Sequence, residues 1–252
     1  CRLVAVGILI GAFEQWAVRG QFSPGGILFA PAHRTSRVRQ GITRRHTLAV
    51  LVVAQVVAAL MVIAAGVQSI AGWAALCVLT SAFVGMRWYR RVGGDGADQM
   101  AGIVLVAAVL TAPALPGDVR VTLGAGFIAA QAVLAYSTSG IAKLISPVWR
   151  DGTGLVGILS TVDHGAPALG HWLSSHRAFS KVASWGTIGF ECAFVLVLVL
   201  SPPLAAALLL AGILFHVACA VFMGLNSFLW AFPATYPCIW FVAEMIRSIA
   251  TG

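Results

Sequence analysis

Four stretches without a single Asp, Glu, Lys or Arg constrain this chain more than anything else in it: Thr47–Met86, Gln99–Gly117, Val121–Ala142 and Cys192–Ala243. A helix that crosses a bilayer needs about 20 mostly apolar residues, so the first and last stretches each hold two or more crossings. With 60% of its residues hydrophobic and 10% charged, a soluble domain of this length could not hide its apolar surface. The runs are also continuous, whereas the strands of a membrane barrel alternate in short segments. The sequence therefore predicts an all-α, polytopic integral membrane helical bundle of about eight transmembrane helices. They are placed near 3–18, 47–67, 70–87, 99–114, 120–142, 182–201, 203–223 and 228–247.

Breaks separate these spans. Gly93-Gly-Asp-Gly96 and Pro113 to Gly117 interrupt the apolar pattern, and Ser201-Pro-Pro203 is a tight turn into a new helix. The chain starts at Cys1 with a run to Val18 that is short for a span, so the expected true N-terminus lies upstream. No small-residue cleavage site follows that run, which argues against a signal peptide. The five cysteines are scattered without metal or redox spacing, so neither a disulfide framework nor a metal site is expected.

The net charge of +8 is concentrated. Arg34, Arg37, Arg39, Arg44 and Arg45 crowd one linker, and Arg87, Arg90 and Arg91 another. Beside membrane spans such clusters meet anionic lipid or fix topology, so nucleic acid is not the expected partner; the lipid bilayer is. By the positive-inside rule, these two linkers and the long one from Trp149 to Lys181 lie in the cytoplasm of a multi-pass protein of the cell (plasma) membrane.

The candidate chemistry begins at Lys143, at the end of an apolar run. On a helix Tyr136, Ser139, Gly140 and Lys143 share one face. An amine beside hydrocarbon faces a bundle interior or a watery cavity, and desolvation favours the neutral form that acts as a base. The alternative is a lysine that snorkels to the interface. Glu191 and His216 sit deep in apolar segments, where an unpaired polar group is expensive. If the His216 helix continues, Ala220, Met223 and Asn226 follow along its face. Packing by interhelical hydrogen bonds accounts for His216 and Asn226 equally well. Glu14 carries the same ambiguity, while Asp163, His164, His171 and His176 form a weaker cluster in the long linker.

Tyr136-x-x-Ser-Gly-Ile-x-Lys143, then Trp149-Arg-Asp-Gly-Thr153, a Glu in the following span, and Phe215-His216 with Asn226 and Phe228 together resemble the horizontally transferred transmembrane (HTTM) domain. That is the module of vitamin K-dependent gamma-carboxylases and their bacterial relatives. Phe22-Ser-Pro-Gly-Gly-Ile-Leu28 is similar to the turn after that family's first helix. The likeness covers nearly the whole chain, which implies one domain over 1–252, and its closest branch looks like sporulation-delaying protein B. The resemblance implies that Lys143 is a catalytic base and that Tyr136, Gly140, Trp149, Glu191, His216 and Asn226 belong to its pocket. It also implies a reduced quinone, such as vitamin K hydroquinone or menaquinol, as cofactor and an exported peptide as substrate. The family's histidine near the start of the fourth span has no counterpart in Asp95-Gly-Ala-Asp-Gln-Met100. The family also places the face of these linkers outside the cytoplasm, opposite to the arginine count. A non-catalytic membrane partner for maturation, export or immunity of a peptide toxin is the alternative function; in an immunity or lipid-binding protein Lys143 and Glu191 would be a purely structural pair.

Overall fold

The computed structural model describes residues 1–22, 46–90, 94–111, 117–161 and 165–251. The Arg34–Arg45 cluster, Arg91, Asp163, His164 and nearly all of the 22–28 and 113–117 turns lie outside them. The described residues form helices and no strands. They pack as two compact units, Cys1–Gly124 and Ala125–Gly252.

The first unit holds α1 (Arg2–Ala17), a 3₁₀ turn at Arg19–Phe22, α2 (Thr47–Ala65), α3 (Ile70–Tyr89), α4 (Gly96–Thr111) and the start of α5 (Gly117–Ile145). α2 packs on both α1 and α3. Gly66 ends α2 with φ +67, a left-handed value that suits glycine, and Ser69 caps α3 by accepting from the Gly72 amide at 3.1 Å. Ala12, Phe22, Leu48, Val52, Met86 and Tyr89 form a core, with the Phe22 and Tyr89 ring centroids 5.4 Å apart. The Trp73 indole donates to the Val109 carbonyl at 3.2 Å and holds α3 to α4.

The second unit continues α5 and adds α6 (Pro147–Arg150), α7 (Thr153–Leu159), α8 (Pro167–Ser175), α9 (Arg177–Ala193), a 3₁₀ stretch at Phe194–Leu198, α10 (Pro202–Met223), α11 (Asn226–Ala231), a 3₁₀ turn at Pro233–Thr235 and α12 (Tyr236–Thr251). The segment expected to be a long linker thus contains three short helices. The Trp149–Thr153 motif is the turn that docks them. Asp151 accepts from the Thr153 amide at 2.8 Å and its hydroxyl at 2.6 Å. The Ser180 hydroxyl donates to the Gly152 carbonyl at 2.7 Å, and the Trp185 indole donates to the Arg150 carbonyl at 3.1 Å. Gly152 has φ +88, and a Cβ there would stand 2.8 Å from the Lys181 nitrogen, so only glycine lets the turn sit on α9.

Six helical segments among the described residues are long and apolar enough to cross a membrane: 47–65, 70–89, 119–145, 177–198, 202–223 and 226–250. This is a multi-pass helical membrane protein. Of the eight expected spans, 3–18 and 99–114 correspond to helices of only 16 residues each. At about 1.5 Å per residue such a helix is about 24 Å long, short of an average hydrocarbon core. Large apolar side chains point outward throughout: Val50 is 64% exposed, Leu110 71% and Val221 69%. Such a surface requires lipid around it.

Candidate functional site

The candidate site lies wholly in the second unit, where α5, α9 and α10 each contribute a polar side chain. α5 presents Tyr136, Ser139, Gly140 and Lys143 on one face, as the spacing predicts. At Gly140 the backbone of α9 comes close. A Cβ there would lie 2.7 Å from the Cys192 backbone nitrogen and 3.0 Å from the Glu191 carbonyl carbon. α9 meets this with a narrow polar stripe of Ser180, Ser184 and Glu191 around Ile188, all buried.

That close approach sets Glu191 against Lys143. The Lys143 ammonium donates to both Glu191 carboxylate oxygens, at 2.7 and 2.9 Å, and to the Ser139 hydroxyl at 2.5 Å. The Ser139 hydroxyl in turn donates to Glu191 at 3.1 Å. An ammonium has three donors, and all three are used here. The side chains are 17% and 5% exposed, so water screens the pair little. The Lys143 nitrogen also stands 5.1 Å from the centre of the Trp149 ring, within cation–π range.

One turn before Ser139, Tyr136 begins a second cluster. Its hydroxyl lies 2.5 Å from His216 Nε2 and 2.8 Å from the Tyr236 hydroxyl. All three side chains are buried, and the Tyr136 ring stacks on Phe194 at 3.8 Å. Two interruptions of regular helix make this arrangement possible. α9 tightens into 3₁₀ geometry at Phe194, and the Pro233–Thr235 turn restarts the chain at Tyr236. Gly212 leaves room for the Tyr236 hydroxyl, because a Cβ at 212 would collide with it.

Both clusters border one cavity of about 520 Å³. Lys143, Glu191, Tyr136, His216 and Trp149 line it, together with Cys219 and the rings of Phe215, Phe228 and Phe232. The structure thus brings together six of the seven sequence-predicted residues, with Gly140 acting through helix approach rather than as lining. Asn226 is not among them. α10 stops at Met223 because Gly224 takes the left-handed φ +65, so the helical face that would carry Asn226 onward does not exist. Asn226 instead opens α11 and is exposed.

Three other candidates lie elsewhere. His171 and His176 are exposed, the latter stacked on Trp172 at 4.3 Å, and Glu14 is exposed on α1. Tyr236 was missed in the sequence; its signal was a tyrosine between Pro233 and Pro237 in an otherwise apolar run. No protein-family model, curated protein or solved structure matches the chain.

Proposed function

We propose that this protein is a multi-pass protein of the cell membrane that modifies or matures an exported peptide, using the cavity of its second unit to hold a lipid-soluble cofactor and Lys143 as the base. The observation that carries this reading is an acid–base pair, Lys143 and Glu191, on the wall of an aromatic-lined cavity within membrane-spanning helices. Charged side chains inside spans are costly and are concentrated at functional sites. A reduced quinone fits this lining. Phe215, Phe228 and Phe232 give it apolar faces, and Tyr136 and His216 add polar side chains to the wall. When bound, such a group supplies an ionisable hydroxyl and reducing electrons. Lys143 would accept the proton of that hydroxyl at Nζ, after passing one of its own protons to Glu191 across their 2.7 Å contact. Trp149 and Ser139 hold the amine in position during the exchange.

A second reading is favoured by the same contacts. With every Lys143 proton engaged, the triad of Lys143, Glu191 and Ser139 also suits a non-catalytic partner for maturation, export or immunity of a peptide toxin. Its charges would then pin α5 to α9.

Intact-mass measurement of exported peptides separates the two. Cells carrying wild type, a deletion and Lys143→Arg are compared. On the enzyme reading a defined mass difference disappears in both variants while the Arg protein still accumulates, because a guanidinium does not release its proton. Unchanged peptide mass throughout, with yield or export falling only in the deletion, would replace the enzyme reading with the partner reading.

A further inference from the structure

We infer that Arg150, Arg177 and Lys181 form a binding surface for the phosphate of an anionic lipid, at the membrane surface where α5 ends and α9 begins. This surface lies outside the cavity and needs none of the chemistry proposed there.

The helix packing sets the level of this surface. Lys143 meets Glu191 near the end of α5, and past Ile145 the α6 turn packs on the first half of α9. There the Trp185 indole donates to the Arg150 carbonyl, and a Cβ on Gly152 would stand 2.8 Å from the Lys181 nitrogen. The turn is therefore docked past the end of one candidate span, 119–145, and near the start of another, 177–198. Hydrocarbon gives way to headgroups at such an end.

The charges here are not balanced. Arg150, Arg177 and Lys181 are all exposed, and none of them makes an ion pair within the described residues. Asp151 is the one acid among the described residues from 144 to 190, and its carboxylate already accepts from the Thr153 amide and hydroxyl. After those bonds it also feels the charges of Arg177 and Lys181, so both cations stand near it. Three cations beside one engaged carboxylate leave an excess of positive charge. Arg177 lies in the first turn of α9, which holds no acidic residue, and a cation at that end opposes the helix dipole. An anion nearby would relieve both costs.

The surroundings choose the anion. Trp185 is 44% exposed, Phe179 57% and Val182 71%, and the Trp172 and Phe179 rings meet edge to face at 5.1 Å. Lys181 and Trp185 are four residues apart and share a face of α9. Basic side chains among exposed rings and aliphatic groups suit the boundary between headgroups and acyl chains. A free anion or an acidic peptide would leave that apolar surface in water. A lipid covers it with its chains while its phosphate meets the cations.

The test titrates the full chain in detergent micelles with dioctanoyl phosphatidylglycerol and, separately, with dioctanoyl phosphatidylcholine. Native mass spectrometry reads the bound lipid. Phosphatidylglycerol should bind more tightly to wild type. Arg150→Gln, Arg177→Gln and Lys181→Gln should each weaken it by about fivefold, the loss per basic side chain at a charged membrane surface. Phosphatidylcholine should change by less than about twofold in the same variants. Arg19→Gln removes one exposed charge from the first unit and should also change phosphatidylglycerol by less than about twofold. Equal binding of the two lipids to wild type, or equal weakening by Arg19→Gln and Lys181→Gln, would overturn the surface. Glycerol 3-phosphate, a phosphate ester without chains, should bind at least about tenfold more weakly than phosphatidylglycerol. Equal binding of the two would overturn the lipid in favour of a free phosphate ester. Displacement of phosphatidylglycerol by equimolar hexaglutamate would overturn it in favour of an acidic peptide. The wild-type comparisons need no variant, so they decide the question even if one of the substitutions does not fold.

Discussion

Gly140 on α5 and Cys192 on α9 stand so close that there is room for a hydrogen but not for a methyl group between Gly140 and the Cys192 backbone. One residue away, Glu191 reaches Lys143 at 2.7 Å. Backbone of Glu191 and Cys192, together with the Cys192 sulfur, fills the space at Gly140, so a Cβ there must push the helices apart. Gly140→Ala should cost about 1–3 kcal/mol of stability, the usual range for overpacking, and lengthen the ion pair. Thermal unfolding in detergent reads the first effect; an unaltered midpoint would contradict the close approach.

The Lys143–Glu191 pair predicts an asymmetry between single and double variants. Glu191→Leu alone leaves an uncompensated ammonium, a change that costs about 3–5 kcal/mol when a buried pair is broken. Lys143→Met with Glu191→Leu removes both charges and should cost less than that single change. The cycle should show coupling of about 1–3 kcal/mol, within the range for residues in direct contact. Additive losses would mean that the two groups do not act as a pair.

Acid should loosen the turn between α6 and α7. The Thr153 hydroxyl bonded to Asp151 holds that carboxyl below the usual range, helped by the Thr153 amide and by the charges of Arg177 and Lys181. A folded value below the unfolded one, about 3.9, favours the folded turn above the unfolded value. That contribution disappears as pH falls through the folded value. Protection of the Thr153 amide against hydrogen exchange should therefore drop between about pH 5 and pH 2 in wild type and stay level in Asp151→Asn. The same pH profile in both proteins would remove Asp151 as the cause.

Gly212 and Tyr236 should behave as a coupled pair. Gly212→Ala drives a methyl group into the Tyr236 hydroxyl, whereas Tyr236→Phe vacates that spot. The double variant should be more stable than the sum of the two single losses, by about 0.5–2 kcal/mol. Strict additivity would show that the hydroxyl is not what occupies the space.

The sequence makes individual helices legible and most of their partnerships illegible; the pairing of Lys143 with Glu191 is suggested only because each is a rare charge in an apolar setting. Tyr136, Ser139, Gly140 and Lys143 follow one helical face over two turns, so local periodicity groups them without tertiary information. Glu191 and His216 stand out only because a polar group is conspicuous in an apolar run. That Glu191 meets Lys143, 48 positions away, depends on helix crossings that no local pattern encodes. The periodic face that runs from His216 toward Asn226 is cut at Gly224, where glycine is a helix-stop signal. Tyr236 is not legible in the sequence, because a tyrosine among apolar residues looks like core and its hydroxyl partner, Tyr136, lies 100 positions away. The short α1 and α4 show the limit of counting apolar residues: composition locates helices but does not fix how far they reach.

His216 rides on α10, and of the six candidate spans α10 has the smallest share buried by its own protein, 17%. Much of the surface of this helix therefore faces outward, toward acyl chains. Its 22 residues extend about 33 Å, slightly more than an average hydrocarbon core. Thinning the bilayer would favour a greater tilt of α10, and the imidazole would travel with it. The ¹⁵N chemical shift of the His216 ring in nanodiscs of different acyl length tests this directly, with the signal expected to move alongside bilayer thickness. The thickness of the surrounding lipid then sets where the imidazole stands, and a cell can change that thickness without altering the protein.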